Sequence, residues 1–158
     1  FLFQTQPKLF LGFLMKLTSK DFADKSSIPS EFTCDGRNIS PQLSWNGVPE
    51  RTQSFALRVT DPDAVGGWIH WLVYDISKEV RSIEKNRLPE GVKEVMNDFG
   101  KKHYGGPCPP SGTHRYVFTV YALDVEHLEG VNMRNFLDKV EKHAIENAEI
   151  MGLYKRKR

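Results

Sequence analysis

The sequence predicts a mainly β single domain carrying one helix. Three observations lead there. Strings rich in β-branched and aromatic residues recur between Gly, Pro, Asn and Asp turn signals, as in SFALRVTD (54–61), WIHWLVYDI (68–76) and RYVFTVYALD (115–124). Only Asn132–Asn147 places apolar residues at helical spacing, through Met133, Phe136, Leu137, Val140, Ala144 and Ile145. With 158 residues, 39% of them hydrophobic, the chain is long enough for one sizeable core, and it shows no internal repeat or low-complexity linker.

The elements follow in chain order. Phe1–Leu14 is apolar but interrupted by Gln4, Gln6, Pro7 and Lys8. It is too short and broken to span a bilayer, which takes about 20 apolar residues. It also lacks the basic start and small-residue cleavage site of a secretory signal. Residues 1–14 read as an extension, with the domain proper over 15–155 and a basic tail at 156–158. The rival reading is an ordered arm that buries Phe1, Phe3, Phe10 and Phe13 on the domain or on a second copy in a homodimer. Ser26–Trp45 carries turn signals at Ile28-Pro29, Asp35-Gly36 and Ser40-Pro41, with short strands expected around Phe32 and Leu43–Trp45. Ser54–Asp61 is a strand that Pro62 ends, since proline has no amide for the ladder and holds the residue before it extended. Val65-Gly66-Gly67 is a loop. In the strand Trp68–Ile76, strict alternation puts Ile69, Trp71 and Val73 on one face and Trp68, His70, Leu72 and Tyr74 on the other. Arg81–Gly100 is polar, with a strand expected within Val92–Asn97. Tyr104–Thr113 holds three Gly and three Pro, so it is a loop with a constrained backbone feeding the core strand Arg115–Asp124. Asn132 is placed to cap the helix. Gly152 and the aromatic end of AEIMGLY (148–154) suggest a terminal strand.

Charge and cysteine content narrow the class. The net charge of +2 is too small to indicate nucleic acid or an anionic membrane as partner. The closing KRKR (155–158) reads most simply as a solvated terminus. Two cysteines, Cys34 and Cys108, are no disulfide scaffold, and no CxxC pattern suggests zinc. A single bridge between them stays open, and disulfides are rare inside most cells. No transmembrane segment is read, and a cytoplasmic location is expected.

Three titratable groups mark strand ends beside stiff loops: Asp61, His70 and His114. One reading is an anion site, in which two imidazoles and loop amides donate N–H groups and Asp61 fixes an imidazole tautomer or favours its charged form. A second is a metal held by two His and one carboxylate, although HxH and HExxH spacings are absent. A third is nucleophilic attack by Cys108 or Ser111 with His114 as base and Asp61 orienting it; neither sits in a GxSxG elbow.

DPDA followed by WIHW, and YGGPCPPSGTHRYVFTVYAL, resemble the two signature regions of the phosphatidylethanolamine-binding protein family. CDGRNISPQLSW and the closing helix with AEIMGLY resemble its prokaryotic, Raf-kinase-inhibitor-like branch. The resemblance spans about Met15 to Tyr154. It implies a β-sandwich of two antiparallel sheets with a C-terminal helix, and a binding protein rather than an enzyme, with no cofactor. It also implies an anion pocket formed by Asp61, His70 and His114. Pro62, Gly106, Pro107, Pro109 and Tyr116 would shape its walls, with Tyr154 near its mouth. The ligands implied are phospholipid headgroups, phosphorylated side chains and small carboxylates. The alternative function is inhibition of a serine protease or a kinase; the protease version calls for an exposed segment that enters the protease cleft, for which the N-terminal arm or Arg81–Gly100 is available. The chain departs from the family at Val65, where proline is frequent, and in the shortness of the loop Asp63–Trp68.

Overall fold

The computed structural model describes residues 14–157. The proposed arm (Phe1, Phe3, Phe10, Phe13) therefore lies outside the described residues. Among the described residues nine strands form two sheets. β1 (Lys16–Thr18), β3 (Leu43–Asn46) and β6 (Ser82–Ile83) make a three-stranded sheet in the order β1-β3-β6. β2 (Ser26–Ser27), β4 (Ser54–Asp61), β5 (Trp68–Ser77), β7 (Lys93–Val95), β8 (His114–Leu123) and β9 (Ala144–Tyr154) make a six-stranded sheet in the order β2-β9-β8-β4-β5-β7. A short α-helix, α1 (Phe136–His143), precedes β9. The mainly β sandwich expected from sequence is present, with one refinement: the large sheet is not wholly antiparallel, because β2 pairs parallel to β9.

The apolar strings form strands because both faces of the central sheet are covered. Phe55, Leu57 and Val59 of β4 face the small sheet in one core with Leu17, Leu43, Trp45, Trp71, Phe118 and Val120. On the opposite face Ala56, Leu72, Tyr121 and Leu123 pack with Phe136 and Val140 of α1. Burial on both sides accounts for the near-continuous apolar runs.

Several expectations are corrected. Phe32 closes a 3-10 turn (Ser30–Phe32) and is not in a strand. The helix is shorter than Asn132–Asn147. Ala144 and Ile145 belong to β9, whose ladder runs along all of β8 from His114↔Tyr154 to Leu123↔Ala144. Asn132 does not cap it. Asn132 and Asn135 exchange backbone-to-side-chain bonds of 2.8 and 2.9 Å in the turn before it. Last, β5 does not alternate strictly. Two bulges, opposite Phe55/Leu57 and Val59/Thr60, shift its register, so Val59 faces Trp71 while Thr60 faces Ile69. Ile69 therefore joins the helix-side core, and Trp71 and Val73 the inter-sheet core. The tail is not wholly solvated either: Arg156 forks onto Asp35, at 2.7 Å from Nη2 and 3.0 Å from Nε.

The topology sets up a site. β4 runs antiparallel to both neighbours, β5 and β8. Its end therefore lies beside the starts of β5 and β8. Asp61 closes β4, His70 is the third residue of β5, and His114 opens β8.

Candidate functional site

Asp61 is buried and held on every side. Its Oδ1 accepts the amides of Asp63 (2.8 Å) and Ala64 (3.1 Å), the side-chain-to-backbone turn that aspartate favours before a loop. Its Oδ2 accepts Nδ1–H of His114 at 2.6 Å. That bond fixes the His114 proton on Nδ1 and leaves Nε2 without a hydrogen-bond partner among the described residues.

His70 is set by the β5 bulge. The extra residue turns its ring onto Tyr116 of the inter-sheet core, edge to face at 5.3 Å. The bulge also frees backbone groups from the ladder. Asn97 Nδ2 (2.8 Å) and the Gly105 amide (3.1 Å) donate to the His70 carbonyl, and Asp98 bonds both the amide and the carbonyl of Ile69. His70 Nδ1–H donates to the Gly105 carbonyl at 2.6 Å, which leaves Nε2 as an acceptor in the neutral ring. Burial pushes the His70 pKa below its ordinary value, opposed by the Gly105 carbonyl and by the charges of Asp61 and Asp98.

These groups line an open cavity of about 530 Å³. Asp61, His70, His114 and Pro109 are joined there by Asp63, Ala64, Val65, Trp68, Phe99, Cys108, Pro110 and Ser111. The rings of Trp68 and Phe99 meet edge to face at 5.7 Å, and Phe99 meets His70 at 5.1 Å. Val65 stands fully exposed on the rim. Its loop turns through Gly66 and Gly67, both at positive φ (73° and 76°), a conformation L side chains resist. Asp63 is paired to Arg115 by side-chain and backbone bonds, which hold its carboxyl down at about 2.

The loop Tyr104–Thr113 is docked on residues 32–38. Tyr104 Oη donates to the Phe32 carbonyl (2.8 Å), the Gly106 amide to Asn38 Oδ1 (2.8 Å), and the Cys34 amide to the Pro107 carbonyl (3.1 Å). Cys34 and Cys108 form a disulfide, which settles the pairing the sequence left open. It also removes Cys108 as a candidate thiol nucleophile.

The family model for phosphatidylethanolamine-binding protein matches residues 18–155. The chain belongs to the phosphatidylethanolamine-binding protein family. A UPF0098 protein from Methanothermobacter thermautotrophicus is 46% identical over 150 residues, covering 90% of this chain and 99% of its own. The crystal structure of Escherichia coli YbcL, described as a member of the mammalian family, superposes with a TM-score of 0.86 at 34% identity over 90% of this chain and 99% of that one. A Chlamydia trachomatis homologue gives 0.84 at 38% identity over 92% and 100%.

Of the family residues carried over from sequence, Asp61, His70, His114 and Pro109 meet in the cavity, and the other five do not line it. Pro62 is exposed between Asp61 and Asp63. Gly106 and Pro107 hold the loop to residues 32–38 from behind. Tyr116 is fully buried beneath both imidazoles, with its ring stacked 6.4 Å from that of His114. Its hydroxyl has no hydrogen-bond partner among the described residues, and burial, with Asp61 near it, pushes its pKa up. Tyr154 pairs with His114 along the backbone, but its hydroxyl donates to Asp35 Oδ2 (2.6 Å) in a neighbouring groove. Two of the loop amides expected to face an anion are engaged elsewhere: Gly105 N bonds the His70 carbonyl, and Gly106 N bonds Asn38 Oδ1. Sequence reasoning missed Trp68 and Phe99. Trp68 stands two residues from His70 on the same strand, a signal that could have been used. Phe99 reaches the cavity only through the Asn97 and Asp98 contacts to β5, which no local pattern announces. Among the described residues, no group of three or more His, Cys, Asp or Glu is arranged to hold a metal ion.

Proposed function

We propose that this chain is a binding protein whose cavity takes a phosphate-bearing ligand, a phospholipid headgroup or a phosphorylated side chain. The carrying observation is that two imidazoles, each tied through Nδ1, line one cavity and keep Nε2 for a ligand. A neutral His70 presents an acceptor, which the P–OH of a singly ionised phosphomonoester satisfies; once protonated, the same atom donates to a phosphate oxygen. In both cases one proton lies between Nε2 and the phosphate. The aromatic pair Trp68 and Phe99 offers apolar surface for what the phosphate is attached to. Membership of a family named for phosphatidylethanolamine binding supports the reading.

Phosphorus NMR titration of phosphate, phosphoserine and phosphoethanolamine tests it, against wild type and His114→Ala. Binding that weakens about tenfold or more in the variant is expected, since a hydrogen bond to a charged group is worth roughly 1.5–3 kcal/mol. The ranking of the three ligands separates headgroup from phosphorylated side chain. Absence of binding by wild type would overturn the reading and turn attention to the protease- or kinase-inhibitor alternative.

A further inference from the structure

His114 has the surroundings of a nucleophilic histidine. Its Nδ1–H is held at 2.6 Å by a buried carboxylate that is itself pinned by two backbone amides, so the carboxylate cannot swing away. The ring lone pair is therefore on Nε2, and the ring lines the cavity. Nothing among the described residues competes for that nitrogen through a hydrogen bond. A phosphoryl group bound in the cavity would lie against it.

We infer that His114 Nε2 is a phosphoryl acceptor, taking the group from a small donor with a good leaving group, such as a phosphoramidate or an acyl phosphate. The inference rests on the phosphate reading of the cavity. The Nε2 lone pair forms the N–P bond as the bond from phosphorus to the leaving group breaks. The departing pair leaves on ammonia (phosphoramidate nitrogen is already protonated at neutral pH) or on a carboxylate. The ring keeps Nδ1–H and becomes cationic, and the Asp61 carboxylate faces that charge.

The chain supplies its own controls. His127 and His143 also have Nδ1 on carboxylates, Asp75 at 3.1 Å and Asp124 at 3.0 Å. Their side chains are 60% and 31% exposed, against 12% for His114. If carboxylate pairing and accessibility alone governed reaction, His127 would be modified first and His114 last of the three.

The experiment is a time course of the full chain with potassium phosphoramidate, read by tandem mass spectrometry for position and by phosphorus NMR for the N–P bond. His114 is expected to be phosphorylated at least about tenfold faster than His127 or His143, because a bound donor reacts at high effective molarity. Inorganic phosphate should slow His114 and leave His127 unaffected. That competition is run on the wild type and needs no variant. Asp61→Asn adds a second check. Its Oδ1 keeps the two backbone amides, so its NH₂ faces Nδ1 and moves the ring proton to Nε2, and transfer to His114 should fall about tenfold or more. Modification in order of exposure, or no protection by phosphate, overturns the inference. If inorganic phosphate binds but His114 stays unmodified, the inference fails and the phosphate reading stands. If neither occurs, both fail.

Discussion

His70 Nε2 is one atom through which pH acts on the site. Burial holds the His70 pKa below its ordinary value of 6.5. The folded value lies below the unfolded one, so the unfolded chain takes up the proton first as pH falls. The contribution of His70 to stability is therefore complete above about pH 6.5 and is lost as pH falls through the folded value. Ligand binding moves in the opposite direction. A phosphate at Nε2 places a proton between the two groups, and the phosphomonoester itself titrates near pH 6. Affinity for phosphoserine or phosphoethanolamine should then rise as pH falls from about 7.5 to 6, while the His70 contribution to stability starts to fall only below about pH 6.5. Calorimetry in two buffers of different ionisation enthalpy should report net proton uptake on binding at pH 7.5. Flat affinity and zero uptake would mean that the His70 proton takes no part.

The loop Tyr104–Thr113 and the bulged strand β5 share the work of shaping the cavity. Gly106 shows how tight the fit is. A Cβ there would fall inside contact distance of the Phe32 carbonyl and 2.5 Å from Asn38 Oδ1, the partner of its own amide. Gly106→Ala should destabilise the fold by about 1–3 kcal/mol, because backbone must move to make room; a midpoint shift in urea below 0.5 kcal/mol equivalent would show that residues 32–38 give way freely. This loop was legible in sequence, since three prolines and three glycines leave few alternatives. So were β4, β5 and β8, through their β-branched and aromatic content, and the three titratable groups at their ends. The side to which Ile69 points was not legible, because a bulge is a property of a strand pair and not of one strand. The end of α1 was hidden for a similar reason. Ala144 and Ile145 fit a helical period, but the ladder of β9 on β8 outweighs that local preference. Phe99 was hidden because its place depends on Asn97 and Asp98 reaching β5, across about 28 residues of chain.

At the scale of the molecule, the Cys34–Cys108 bridge ties the segment before β3 to the loop before β8, closing a span of 74 residues that contains β3 to β7. Constraining so long a span in the unfolded chain stabilises the fold by about 2–4 kcal/mol, a sizeable part of the roughly 5–15 kcal/mol of a typical domain. The native wall depends less on the bridge. Three hydrogen bonds, from Tyr104 Oη, Gly106 N and Cys34 N, join the same two segments in the absence of any sulfur. The disulfide is therefore expected to act on stability and hardly on the cavity. A Cys34→Ser/Cys108→Ser double variant should melt roughly 5–15 °C below the oxidised wild type, at about 2–4 °C per kcal/mol for a chain of this size. Its affinity for phosphate at 25 °C should stay within about threefold, a difference of roughly 0.6 kcal/mol. The opposite pattern, an affinity lost with the melting temperature unchanged, would mean that the three hydrogen bonds do not hold Pro109, Pro110 and Ser111 in place and that the bridge itself forms the cavity wall.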